Sequence, residues 1–213
     1  MGTVRALLFD FNGTLSDDEP VLCAIYQEMF AERGLPLTRG HYFTHLAGLS
    51  DEAIIGAWLG ANGPALAALV SERVTRYAVI ADGSTVTPTI REAVRHAAAT
   101  VPVAIVSGAF RAEIEPVVAA AGLTDQITSI VAADDVEKIK PYPECYQLAL
   151  GRLGTEPDQA VAFEDTETGV AAAKAAGLRC IAVRGTMPDP RLVRADEIVD
   201  AIDVALITRV LEE

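Results

Sequence analysis

Four places along the chain put reactive side chains at or soon after short apolar runs. They are Asp10 after residues 4–9, Ser107-Gly108 after 101–106, Lys140-Pro141 beyond 127–132, and Glu164-Asp165 after 160–163. Carboxylates are the donors that a hard divalent cation takes, and a carboxylate can also act as a nucleophile. A hydroxyl, a backbone amide and an ammonium are groups that hold anionic oxygens. Taken singly, each place has an ordinary structural reading: Asp10 and Glu164-Asp165 as helix caps, Ser107-Gly108 as a turn, Lys140 as a solvated side chain. Their order and spacing are what argue for chemistry.

The elements that must position these groups are legible as patterns. The runs at 4–9, 101–106, 127–132, 160–163 and 180–183 are short, nearly continuous in apolar residues and closed by polar or turn residues, as strands buried on both faces should be. Stretches 89–99, 111–121, 143–153 and 168–176 read as helices, the last three closed by Gly122, Gly154 and Gly177. This alternation predicts right-handed crossovers and an α/β fold, a Rossmann-like doubly wound parallel sheet that binds ligands at the carboxyl ends of its strands. Residues 16–82 break the pattern with helical stretches at 19–33, 51–59 and 64–80 and no strand. The expected organisation is an α/β core of 1–15 and 83–213 carrying an inserted all-α cap domain of 16–82.

The 213 residues are 51% hydrophobic and 22% charged, which is the balance of a folded globular chain. Seventeen basic against 30 acidic side chains give a net charge of -13, and the only lysines are Lys138, Lys140 and Lys174. This balance argues against general nucleic-acid binding by a basic face, and an anionic substrate needs a local cationic pocket. Cys23, Cys145 and Cys180 form no Cys-x-x-Cys pair, so buried thiols in a reducing compartment are expected rather than disulfides or a zinc site. No uncharged run of about 18 apolar residues occurs, and Asp10 interrupts the apolar stretch a signal peptide would need. The expectation is a cytoplasmic protein without membrane or nucleic-acid partners; its oligomeric state stays open.

The segments Asp10-Phe11-Asn12-Gly13-Thr14-Leu15, Ser107, Lys140-Pro141 and Glu164-Asp165-Thr166-Glu167-Thr168-Gly169, taken in order, resemble the haloacid dehalogenase superfamily over nearly the whole chain. The helical insertion resembles that of its β-phosphoglucomutase-like branch. The resemblance implies a Mg²⁺-dependent hydrolase acting on a small phosphorylated metabolite through an aspartyl-phosphate. It assigns Asp10 as nucleophile and Asp10, the backbone carbonyl of Asn12 and Asp165 as metal ligands, with Glu164 a ligand or an acceptor behind them. Ser107 and the Gly108 amide would hold the phosphoryl oxygens, and Lys140 would neutralise charge between nucleophile and phosphate; Lys138 is the rival lysine, but only Lys140 precedes Pro141.

One position departs from the pattern. The family's phosphatases and mutases usually have aspartate where this chain has Asn12, as acid and then base, and asparagine can do neither. Four readings stay open: an enzyme whose leaving group needs no proton, such as an acyl phosphate; a slow or non-catalytic phosphometabolite-binding protein; an engineered change; or partial deamidation at Asn12-Gly13. Dehalogenation is disfavoured because position 12 is not aromatic, and phosphonoacetaldehyde hydrolysis because the cap has no lysine. Mutase activity is disfavoured because Leu22 and Asp51 stand where that branch has histidine and arginine. Arg39, His41 and His45 are candidate cap contacts or plain surface residues, Arg111 a candidate phosphate contact or a helix start, and Trp58 reads as cap core.

Overall fold

The computed structural model describes residues 3–213. Six parallel strands form one sheet: β1 (Ala6–Phe9), β2 (Val103–Val106), β3 (Ser129–Val131), β4 (Ala160–Glu164), β5 (Arg179–Val183) and β6 (Glu197–Val199), in the order β3-β2-β1-β4-β5-β6. The apolar runs predict only the first five. β6 has only three residues, all half-buried, so it carries no apolar run to announce it; its place is given by pairing with β5.

Alternate residues of the central strands serve two cores, as the two-residue period of a strand demands. Leu7, Phe9, Val103, Ile105, Val161 and Phe163 pack on one face. Ala6, Leu8, Ala104, Val106, Ala160 and Ala162 pack on the other. Phe9 and Phe163 stack at 4.7 Å between ring centroids, in register as paired residues of β1 and β4. The helices Glu144–Leu153 and Glu167–Ala175 cover the small-residue face, with Tyr146, Ala149, Val170 and Ala173 inside.

Between β1 and β2 the chain forms the helices Glu19–Ala31, Asp51–Leu59 and Gly63–Ile80 before Pro88–Ala98 returns to the sheet. Trp58 packs within them, stacked on Phe30 with centroids 5.9 Å apart and donating its indole N–H to the Leu35 carbonyl. The outgoing and returning chains are tied side by side: the Asp17 amide donates to the Thr85 carbonyl at 2.9 Å and the Ser16 hydroxyl to the Thr85 hydroxyl at 2.7 Å. The three cysteines are free and buried. Among the described residues no single helix is long and apolar enough to cross a membrane.

Candidate active site

Strand order reverses at β1, whose chain goes first to β2 and β3 and later returns on its other side as β4. A crevice opens at such a reversal, beyond the carboxyl ends of the strands. Asp10 is held just past β1 by its amide, which donates to the Phe163 carbonyl at 2.9 Å. Ser107 is held just past β2, its amide donating to the Val131 carbonyl at 2.9 Å. Glu164 ends β4 and Asp165 follows it. After Asp10, the Phe11 carbonyl accepts from the amides of Leu15 and Ser16, folding residues 11–16 into a tight turn.

Three carboxylates from two adjacent strand tips meet here: one oxygen each of Asp10, Glu164 and Asp165 lies within 4.8 Å of the others. Lys140, 130 residues from Asp10 in sequence, donates to Asp10 Oδ1 at 2.6 Å, to Glu164 Oε1 at 2.5 Å and to the Val106 carbonyl at 2.8 Å. The Tyr146 hydroxyl donates to the same Glu164 oxygen at 2.7 Å. Two glycines make room. A Cβ on Gly169 would sit 1.9 Å from Glu164 Oε2, and one on Gly13, whose φ is +75°, would sit 2.0 Å from Asp165 Oδ2.

Asn12, Ser107, Gly108 and Lys140 line the same cavity as Asp10 and Asp165; its volume is about 150 Å³. The Asn12 side-chain amide donates to Asp18 Oδ2 at 2.9 Å, an oxygen that also accepts from the Tyr77 hydroxyl. Other candidates fall outside. Arg111 donates to the Ile130 carbonyl and pairs with Asp135 at 2.6 Å, Lys138 lies over the Tyr142 ring, and Arg39, His41 and His45 are exposed and absent from the cavity lining.

The donor set fits a hard divalent cation. Lys140 satisfies Asp10 and Glu164, but the buried Asp165 Oδ2 has no hydrogen-bond partner among the described residues, and a bare buried carboxylate oxygen is costly unless a cation meets it. Burial pushes the Asp10 carboxyl up to about 7, with Lys140 pulling it down and Glu164 raising it. Burial, then Asp10 and Glu164, push Asp165 well above the usual carboxylate range. Burial opposes the charge of Lys140, yet Asp10 and Glu164 outweigh it and keep the ammonium protonated. Burial also lifts Glu19 to about 7, against the hydrogen bond it accepts from Tyr42 at 2.9 Å.

A carboxyl raised on folding binds a proton that the unfolded chain has already released, so stability falls as pH rises between the unfolded and folded pKa values. The metal-free protein should therefore melt several degrees higher at about pH 5.5 than at about pH 7.5. A divalent cation should raise the melting temperature more at the higher pH. Thermal scans with and without Mg²⁺ check both statements, and a flat pH profile counts against the buried charge cluster.

Known proteins resemble this chain in sequence and fold. The family model for haloacid dehalogenase-like hydrolases matches residues 4–177. Protein CbbY of Rhodobacter capsulatus is 35% identical over 194 residues, covering 84% of this chain and 84% of that protein. Hexitol phosphatase B of Escherichia coli K12 is 28% identical over 200 residues, covering 91% and 90%. The crystal structure of CbbY from Rhodobacter sphaeroides in complex with phosphate superimposes with a TM-score of 0.81 at 28% identity, covering 93% of this chain and 95% of that one. The chain belongs to the haloacid dehalogenase-like hydrolases, and its parallel sheet is the α/β fold of that family.

Sequence reasoning passed over Tyr146, Glu19, Arg73 and Glu113. Each reads locally as an ordinary helix residue, and their partners stand 18 to 40 residues away in the chain, beyond the reach of any local pattern.

Proposed function

We propose that the protein is a Mg²⁺-dependent phosphatase of a small phosphorylated metabolite, with Asp10 as nucleophile. The observation carrying this reading is the meeting of Asp10, Glu164 and Asp165 around Lys140 at the strand-order reversal, with one Asp165 oxygen bare. Names of the relatives agree with it: hexitol phosphatase B acts, by its name, on phosphorylated hexitols. An Asp10 carboxylate oxygen attacks phosphorus, the leaving oxygen departs, and water then cleaves the aspartyl-phosphate, so one difficult hydrolysis becomes two easier steps. Ser107 and the Gly108 amide hold phosphoryl oxygens, and Lys140 offsets charge beside the nucleophile. Asp10, Asp165 and the Asn12 carbonyl, with Glu164 behind or among them, would hold Mg²⁺, which supplies charge neutralisation between the two anions.

Residues 16–82 serve in this reading as a cap over the core of 1–15 and 83–213, hinged where residues 16–17 and 85 are tied together. Closing it would exclude water and select the substrate. Asn12, engaged with Asp18, supports a preference for leaving groups that need no proton. Acetyl phosphate and p-nitrophenyl phosphate should therefore both be cleaved in the presence of Mg²⁺, and a chelator should remove that activity by about 10³-fold or more, restored by adding Mg²⁺ back. Hydrolysis that persists unchanged in the chelator would defeat the metal-dependent reading. Turnover of neither substrate, combined with tight phosphate binding, would favour the binding-protein alternative.

A further inference from the structure

The cavity that holds Asp10 and Lys140 continues under the helical insertion, and its outer part has an unusual charge balance. Glu19, Asp51, Glu52 and Glu113 line it, and the single cation among them is Arg73. That guanidinium is already committed. Its Nε and Nη2 donate to Asp51, and its Nη1 and Nη2 donate to Glu113, with Arg73 and Glu113 both buried. An incoming anion would have to displace the half-buried Asp51 or the buried Glu113 to reach it. The other cation of the lining, Lys140, is held by Asp10 and Glu164.

Glu19 adds a second and independent observation. The residue is 8% exposed and lines the cavity. One of its oxygens accepts from the Tyr42 hydroxyl at 2.9 Å, and the other makes no hydrogen bond with a described residue. A buried carboxyl with a spare oxygen is a partner for a hydroxyl or an amine, and in its ionised form it repels a carboxylate or phosphate.

We propose that this outer cavity admits phosphorylated compounds whose organic part carries no negative charge, favours those bearing hydroxyl or amino groups, and rejects substrates with a second phosphate or a carboxylate. The proposal rests on the phosphatase reading above and names its substrate class. Like-charge contacts are an effective means of refusing wrong ligands, because a desolvated pair of equal charges costs far more than a solvated one.

The test is a kinetic panel at constant Mg²⁺ and ionic strength: sorbitol 6-phosphate and glucosamine 6-phosphate against phosphoglycolate, 3-phosphoglycerate and fructose 1,6-bisphosphate. The first two should exceed the last three in kcat/KM by about a hundredfold. Glu52→Lys, which places a cation on the exposed rim of the cavity, should narrow that gap by about tenfold. A gap under tenfold in the unaltered protein, or one reversed in favour of the anionic compounds, overturns the proposal. Acetyl phosphate in the same assay reports the phosphatase reading separately. If it too is untouched, that reading fails, and dissociation constants for the same five compounds by calorimetry with Mg²⁺ decide the charge preference by the same tenfold criterion.

Discussion

Replacing Asp10 by asparagine should lower hydrolysis of acetyl phosphate by about 10⁴-fold or more while leaving the melting temperature within a few degrees. The amide is isosteric and can still accept from Lys140, whose ammonium keeps its 2.5 Å partner in Glu164. What it loses is the nucleophilic oxygen. It also loses a charge that burial resists, having lifted this carboxyl to about 7, so removing it relieves repulsion with Glu164 and Asp165 and spares the fold. The checks are single-turnover kinetics and a thermal scan on the same preparation. Residual activity within tenfold of the unaltered protein would mean that the nucleophile lies elsewhere. A collapse of the melting temperature would instead make Asp10 structural.

Replacing Asn12 by aspartate should act in the opposite direction, raising kcat/KM on alkyl phosphate monoesters by about 10² to 10⁴ while changing acetyl phosphate little. An alkoxide needs a proton as it leaves, whereas acetate does not. The surroundings of position 12 favour that outcome. Its side chain now donates to Asp18, whose carboxyl burial raises against the hydrogen bond from Tyr77. Two carboxyl groups at that contact would share a proton rather than both ionise, leaving one of them an acid near neutral pH. The same contact explains why asparagine sits well here, since a buried carboxylate wants a donor opposite it. Exchanging the pair, Asn12→Asp with Asp18→Asn, should preserve the donor and acceptor and hence the melting temperature better than Asn12→Asp alone. Steady-state kinetics on an alkyl phosphate and on acetyl phosphate, run side by side, check this prediction; equal gains on both would show that proton donation is not what position 12 limits.

Much of the scaffold was legible because its rules are local. Strands β1, β2, β4 and β5 stand out as short apolar runs, since burial on both faces demands apolar residues at every position. Gly154 ends a helix with φ +61°, as a residue free of Cβ strain should. The strand β6 escaped because a three-residue, half-buried edge strand needs no such run. The expected strand at 127–132 shrank to Ser129–Val131 for a related reason: only the middle of the run meets β2 in register.

By itself the sequence determined the class of fold, the helical interruption after the first strand, and the residue types that gather at the strand tips. Each of these follows from side-chain periodicity or from residues close together in the chain. Tertiary structure alone decided that Lys140 bridges Asp10 and Glu164, that the Asn12 amide is engaged by Asp18, and that Arg73 is spent on Asp51 and Glu113. Which charges end up as neighbours depends on how the layers close over one another. In a buried site, where water no longer screens them, those neighbours set the electrostatic field inside the cavity.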